Sequence, residues 1–345
     1  MDDRKIRNME EFAAVAGISR PTISKYFHNP DSVKKSTRER IEIALEKHNY
    51  RPNIFAINQN RRLTKNIGIV VPYLADPFFA EMARLIERRC IDAGFWPILL
   101  SSHGEQALEN DALGGLQSLR VAGALIAPLG RRSDRAALER FSAEIPTVLF
   151  DNNTGLEHVG EAFVGQDKSQ SMGLIVDYLC RTGAPPCFFE MRARVNPNAN
   201  KVQRGYIDAM ERLGHEPKLV QIDGDNWEFE RIGFEGGLNV IEERRLPSET
   251  VLCSNDRLAM GLLTAAYVKG LRVGRGAGCA LRIAGHDDHP FSRFTCPPLT
   301  TVAQDYVQIA ERSVDTLFRL LESGGKIGVR ENTRLDGRLV MRESA

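Results

Sequence analysis

The stretch Asn8-Met9-Glu10-Glu11-Phe12-Ala13-Ala14-Val15-Ala16-Gly17-Ile18-Ser19-Arg20-Pro21-Thr22-Ile23-Ser24-Lys25-Tyr26-Phe27 reads as two short helices and the turn between them. Asn8 is placed to cap the first helix, with the Glu11 carboxylate three residues on to answer the cap's own amide. Gly17 then breaks the helix, because glycine takes the positive φ of a sharp turn at little cost. Ser19 opens the second helix, and Pro21 sits in its first turn, where a missing N–H costs nothing. Ile23 and Phe27, four apart, share one face. That leaves Arg20, Pro21, Ser24 and Lys25 for other faces. Two short helices across a tight glycine turn form a helix-turn-helix, whose second helix enters the major groove of DNA. A third helix is expected from a Ser36 cap with Glu39 as its partner, with Ile41, Ala44 and Leu45 as its apolar stripe.

Charge supports a separate role for this head. The whole chain of 345 residues carries a formal charge of +1. Residues 1–62 hold 13 Lys/Arg against 8 Asp/Glu, so a basic head precedes a mildly acidic body. That asymmetry directs the head, and not the body, toward a polyanion. The length suggests two or three domains. There is no apolar run long enough to span a membrane, and Met1-Asp2-Asp3-Arg4-Lys5 is not followed by an apolar signal core, so a cytoplasmic protein with no membrane partner is expected. Six scattered cysteines without a Cys-x-x-Cys pair read as free thiols.

Beyond about residue 64, short β-rich runs alternate with helical stretches: strands at 67–71, 96–100, 123–127, 147–150, 186–190, 219–222, 251–254 and 281–284, with helices such as 78–93, 105–119, 168–182 and 200–213. Such alternation implies parallel sheets, and two runs of it imply two lobes with a cleft between them. Ligands of these sheets bind beyond the carboxyl ends of the strands. That rule brings Tyr73, Asp76, Phe78 and Phe79 to the cleft after the first strand, then Asp151, then Asn255 and Asp256, and Asp287. Aromatic faces stack on the C–H face of a sugar ring while polar groups take its hydroxyls. Phe78 and Phe79 also begin a helix, so core packing is the other role open to them. Trp227 is a candidate stacking platform at the cleft rim.

Taken together, Ala13-Ala14-Val15-Ala16-Gly17-Ile18-Ser19, Thr22-Ile23-Ser24-Lys25, Asn49-Tyr50-Arg51-Pro52-Asn53, Ile67-Gly68-Ile69-Val70-Val71-Pro72, Asp76-Pro77-Phe78-Phe79, Asn255-Asp256, Gly285-His286-Asp287-Asp288 and Pro298-Leu299-Thr300-Thr301-Val302 resemble the LacI/GalR family of bacterial transcriptional regulators, in order and at family spacing over nearly the whole chain. The resemblance implies an all-α helix-turn-helix DNA-binding domain at 1–62, including a hinge helix at about 53–60. It implies an α/β, two-lobed periplasmic-binding-protein-like effector and dimerisation domain at 64–345, built of two parallel-sheet Rossmann-like lobes. The first lobe would take about 64–163 and 295–322, and the second about 164–294 and 323–341. It further implies a homodimer on near-palindromic double-stranded operator DNA, with helices 79–91 and 107–119 at the dimer face and Met82, Leu85, Leu113 and Leu116 serving either core or partner.

In the family pattern, Arg20, Pro21 and Lys25 match the residues that set operator preference. Thr22, Ser24, Asn29 and Tyr50 match phosphate contacts, which position a domain without reading sequence. Asn53, Ala56 and Gln59 belong to the hinge that enters the minor groove. Gln59 stands where members usually carry a leucine wedge. The segment 192–201 resembles the effector loop and brings forward Asn196, Asn198, Lys201 and Arg204. The arginine usual three residues before Gly205 is Val202 here. Gln304 lies where the chain returns between lobes. The implied ligand is a small effector, a sugar, sugar acid or polyol, and no cofactor or metal is expected.

The implied function is a repressor of carbohydrate uptake and catabolism genes, with an activator or dual regulator of the same family as the alternative and a stand-alone sugar-binding protein as the remote one. An enzyme is not expected. Gly274-Arg275-Gly276-Ala277-Gly278 does not join a first strand to a helix as a dinucleotide loop does. The histidines form no His-Glu-x-x-His, and there is no Gly-x-Ser-x-Gly elbow.

Overall fold

The computed structural model describes residues 6–28, 30–51, 64–193, 196–324 and 330–345. Two compact units emerge, Met1–Thr64 and Lys65–Ala345. The expected hinge helix at 53–60 lies outside the described residues.

The head consists of α1 (Met9–Ala16), α2 (Arg20–His28) and α3 (Lys35–Lys47). Asn8 caps α1 by accepting the Glu11 amide at 2.8 Å. The Glu11 carboxylate reaches the amide of Arg7, at 2.8 Å, and not that of Asn8. Gly17 takes a φ of 62° and returns its amide to the Ala13 and Ala14 carbonyls, the turn its sequence called for. Phe12, Ile23 and Ile41 are fully buried at the centre. The expected Ser36 cap is corrected: α3 begins at Lys35, the cap position is Lys34, and no side chain bonds there. The amides of Thr37 and Arg38 go to the Lys34 carbonyl, so the first turn closes on backbone alone.

In the body, the first sheet is entirely parallel, in the order β11-β5-β4-β3-β1-β2, where β1 is Asn66–Val71, β2 Trp96–Ser101, β3 Gly123–Ile126, β4 Thr147–Phe150, β5 Ala162–Gln166 and β11 Glu331–Leu335. It is packed by α4 (Pro77–Asp92), α5 (Gln106–Ser118), α6 (Arg135–Glu144) and α11 (Tyr306–Glu322). A continuous apolar run such as Ile67–Val71 suits a strand covered on both faces. Gly68 within it lets Leu116 of α5 settle directly on the strand, since a Cβ there would lie 2.5 Å from the leucine. Met82, Leu113 and Leu116 are therefore core residues. The second sheet is parallel in the order β7-β6-β8-β9, from β6 (Cys187–Met191), β7 (Leu219–Ile222), β8 (Thr250–Cys253) and β9 (Arg282–Ala284). Its helices are α7 (Lys168–Thr182), α8 (Ala199–Arg212), α9 (Phe229–Glu242) and α10 (Asp256–Val268). A small antiparallel pair, β10 (Thr301–Ala303) with β12 (Arg338–Val340), completes it.

The chain crosses between lobes three times, at places that correct the expected boundaries. The first crossing follows Gln166, because β5 completes its pairing with β11. The second comes at Gln304 instead of near 295, since Thr300 still bridges Ala284 in the second lobe. The third falls after Leu335 and not near 323, because residues 331–335 form a parallel edge strand of the first sheet. The Lys168 ammonium ties the first two crossings together, donating to Gln166 Oε1 and Gln304 Oε1, each at 3.1 Å. Gly337 at the third is pinned through Gln170, whose Oε1 accepts its amide at 2.8 Å. Among the described residues no helix is long and apolar enough to cross a membrane, and the six cysteines are unpaired.

Candidate functional site

In the head, the outward face of α2 presents Arg20, Pro21, Ser24 and Lys25, all exposed, while Ile23 points inward. The helix contains no acidic residue. Ser19 Oγ and Thr22 Oγ1 share a hydrogen bond of 2.8 Å at its start, and Arg40 braces the preceding turn by donating to the Gly17 carbonyl at 3.3 Å. Lys34 and Lys35 are exposed at the start of α3. Tyr50 is mostly buried, its ring stacked on Phe12 at 4.5 Å between centroids, so most of that side chain is committed to the core. Asn29, Asn53, Ala56 and Gln59 lie outside the described residues.

In the body, the carboxyl ends of β1, β4, β6, β8 and β9 converge on a cleft between the lobes. Asp76 caps α4, accepting the Phe78 amide at 2.9 Å, and its second oxygen takes Arg257 Nη1 from the other lobe at 2.9 Å. Arg257 also grips Glu230 with two bonds of 2.7 Å and lies over the Phe229 ring. Burial pushes the Asp76 carboxyl up, against the pull of Arg257. For Arg257 burial acts downward, but Glu230 and Asp76 together raise it. The forked geometry is that of an ionised cluster. Trp227 stacks on Tyr73 across the same gap at 5.2 Å and meets the edge of Phe79 at 6.2 Å. Phe78 lies against Tyr306 at 5.4 Å.

On the opposite wall, Asp151 accepts Asn198 Nδ2 at 2.9 Å, and burial pushes its carboxyl to about 6, against Lys168 and Lys201. Asp287 Oδ1 takes Gln304 Nε2 at 2.6 Å and sits 3.0 Å from His286 Nδ1. Burial acts to raise Asp287, but those partners and the charge of Lys168 hold it below the usual range. Two buried polar atoms in the lining, Asn198 Oδ1 and His289 Nε2, have no protein partner. The cavity enclosed is about 40 Å³, room for a few waters and not for a sugar ring. A ligand of that size enters only when the lobes part.

Eleven of the fourteen residues singled out for an effector line this cleft: Asp76, Phe78, Phe79, Asp151, Asn196, Asn198, Trp227, Asn255, Asp256, Asp287 and Gln304. Tyr73 backs Trp227. Lys201 and Arg204 line a different cavity. Val202 faces the cleft between them, because consecutive helical residues point about 100° apart. Sequence reasoning missed Arg257, Lys168, His286, His289 and Tyr306, all in the lining. For Arg257 a local signal existed, since it directly follows Asn255-Asp256 at the end of β8.

Asp256 turns out to be a bracket for the second lobe. One oxygen accepts Thr301 Oγ1 at 2.6 Å; the other accepts the His289 amide at 2.8 Å and Ser292 Oγ at 2.5 Å. Burial first, then the charge of Asp287, pushes its carboxyl to about 7. An acid raised in the fold favours folding most below its unfolded value, and the contribution is lost as pH rises through the folded value. Between about pH 4 and 7 the wild type should therefore lose stability relative to Asp256→Asn. Melting curves of both proteins across that window test this; a gap independent of pH would show that the carboxyl does not titrate there. Among the described residues no group of His, Cys, Asp and Glu is placed to hold a metal.

The description "Bacterial regulatory proteins, lacI family" matches residues 8–53, and "Periplasmic binding protein-like domain" matches residues 176–345. The chain is 28% identical over 316 residues to the ribose operon repressor of Escherichia coli (strain K12), covering 90% of this chain and 92% of that one. It is 27% identical over 344 residues to the HTH-type transcriptional repressor PurR of Haemophilus influenzae (strain PittEE), covering 97% and 98%. Among solved structures, the lac repressor dimer bound to operator and the anti-inducer ONPF shares the fold with a TM-score of 0.84 at 24% identity, over 99% of each chain. Head and body thus match in the order, and over the length, of whole bacterial repressors: the chain belongs to the LacI/GalR family of bacterial transcriptional regulators and is a sequence-specific DNA-binding regulator.

Proposed function

We propose that the protein is a non-enzymatic, cytoplasmic repressor of carbohydrate uptake or catabolism genes, whose operator affinity is set by a sugar, sugar acid or polyol in the interlobe cleft. The observation that carries this reading is the cleft's lining, where Trp227, Phe78 and Tyr306 offer ring faces beside Asp151, Asn198 and Asp287. That mixture suits the alternating C–H and hydroxyl surface of a polyol. Val202 removes the usual cation from one wall, and Arg257 supplies one from another element. Closure is held by Asp76 to Arg257 and Asp151 to Asn198, so a ligand that bridges both walls shifts the balance between open and closed bodies.

The protein acts in this reading as a homodimer on a near-palindromic operator. Ile91 and Trp96 are 49% and 62% exposed on the first lobe, at the end of α4 and on the edge strand β2, and support a partner surface there. The test is operator binding by the full-length protein with its own upstream DNA, in the presence of D-ribose and a panel of sugar acids and polyols. A ligand that raises the melting temperature and changes operator affinity supports the reading; no ligand effect from the whole panel overturns it.

Arg20 is proposed as a base reader. Replacing Arg20 with Ala should lower discrimination between operator and random DNA by about 1–3 kcal/mol, with a smaller loss of nonspecific affinity. Equal loss on every duplex would make it a phosphate contact.

A further inference from the structure

A second cavity, of about 350 Å³, lies on the other side of Lys168 from the cleft, at the crossings between the lobes. Its wall carries Arg131 and Arg334 from the first lobe and Lys168, Lys201 and Arg204 from the second. Only two carboxylates share that wall, a formal excess of three positive charges. Neither carboxylate is free to neutralise it. Asp167 caps α7 by accepting the Ser169 and Gln170 amides, both at 3.0 Å. Asp208 pairs with Arg204 at 2.8 Å. Glu157, just outside, takes the Gly155 amide at 3.0 Å.

The remaining cations have no acid within ion-pair distance among the described residues. Lys201 donates to the neutral Asn153 Oδ1 at 3.2 Å and lies over the Phe163 ring at 5.7 Å. Lys168 holds only amide oxygens. Arg131 and Arg334 are exposed and make no ion pair among the described residues. Positive groups gathered around a cavity without counter-charge repel one another, and the fold tolerates them where an anion completes the set. Burial brings the Lys201 ammonium down to about 8; the pull of Asp151 opposes this, and the charges of Lys168 and Arg334 add smaller downward pushes.

We infer that this cavity is a second ligand site, distinct from the effector cleft, for a small phosphate-bearing molecule. Arginine forks and a lysine point charge suit a dianionic phosphate. Ser169, Thr154 and Asn200 in the wall offer neutral polar groups beside it. The cavity is several times the size of a phosphate, which leaves space for an organic remainder. Because its cations come from both lobes, a bound phosphate holds the lobes together and is thermodynamically coupled to the cleft through the shared Lys168.

The test is calorimetry on the full-length protein without DNA, titrated at fixed ionic strength with inorganic phosphate and, separately, with glycerol phosphate. Chloride replaces the anion as the blank. Saturable binding of either anion is expected, weakened about tenfold or more by Arg334→Gln and by Arg131→Gln, each an exposed side chain whose loss leaves the fold intact. Two variants separate the sources of a signal. Arg88→Gln, which removes a surface arginine outside the cavity, should leave affinity unchanged. Arg20→Ala should leave phosphate binding intact, since it alters only the head. Binding of the ester alone identifies an organophosphate, and binding of both identifies the anion itself as the recognised group. No saturable binding at millimolar phosphate overturns the proposal. Loss in Arg20→Ala, or equal loss in all arginine variants, overturns it as well.

Discussion

Gly261→Val is expected to destabilise the body by about 3 kcal/mol or more. A Cβ at residue 261 would lie 2.3 Å from the Glu230 carbonyl oxygen, 2.5 Å from the Phe234 nitrogen and 2.6 Å from the Gly233 carbonyl carbon. Those are backbone atoms of α9, which cannot rotate aside as a side chain can. The relation is mutual, since a Cβ at Gly233 would lie 2.4 Å from the Leu258 oxygen of α10. The two helices therefore touch main chain to main chain, closer than the 8–10 Å axis separation usual for packed helices allows. A valine drives them apart along their whole length. Their amino-terminal ends carry Glu230 and Arg257, so the same displacement opens the ion cluster that closes the cleft. With total stabilities of about 5–15 kcal/mol for a domain, a loss of that size is a large fraction of the margin. Urea unfolding followed by the fluorescence of Trp96 and Trp227 measures it. Gly261→Ala should be milder in degree and the same in sign. An unchanged midpoint for the valine variant would show that α9 and α10 separate without cost.

How much of this was legible beforehand depended on whether the cause was local. The Asn8 cap and the Gly17 turn are encoded within a few residues, and the structure has both. The apolar runs of β1 and β4 betray buried parallel strands for the same reason. Glu331-Asn332-Thr333-Arg334-Leu335 betrays nothing, because an edge strand facing solvent on one side carries no apolar run. That one strand moved the third lobe crossing. In the cleft, the rule that ligands gather at strand ends brought Asp76, Asp151 and Asp287 together across more than two hundred residues of sequence. It failed on Arg257, whose role is set by Asp76, 181 residues away, and by Glu230. It also failed on Lys201 and Arg204, where one residue of helical rotation decides which of two cavities a cation serves. Tyr50 reads as a surface contact until the Phe12 ring is found beneath it.

Asp287→Ala is expected to abolish the response to effector while leaving operator binding by the unliganded protein unchanged. Asp287 sits at a φ of 128°, a backbone region that side-chain-bearing residues rarely adopt, and such strain costs about 1–3 kcal/mol. Three contacts hold it there. Its amide donates to the Val302 carbonyl at 3.0 Å, its carbonyl accepts the Tyr306 hydroxyl at 2.5 Å, and Oδ1 accepts from Gln304 at 2.6 Å. Gln304 and Tyr306 stand at the second crossing and at the start of α11, so Asp287 is bonded to the element on which the lobes turn. Its other oxygen, Oδ2, has no hydrogen bond among the described residues, and the carboxyl stays ionised because its neighbours outweigh its burial. A hydroxyl bound to such a carboxylate contributes about 1.5–3 kcal/mol, enough to weaken binding by one to two orders of magnitude when it is lost. A structural role alone would mimic part of this, and Asp287→Gly separates the two. Glycine accepts the positive φ without strain, so that variant keeps the backbone and loses only the carboxylate. Operator affinity is then measured with and without the sugar that raises the wild-type melting temperature, D-ribose being the first tried. If either variant still changes its operator affinity on adding that sugar, Asp287 is a brace for the second crossing and the effector is held elsewhere in the cleft.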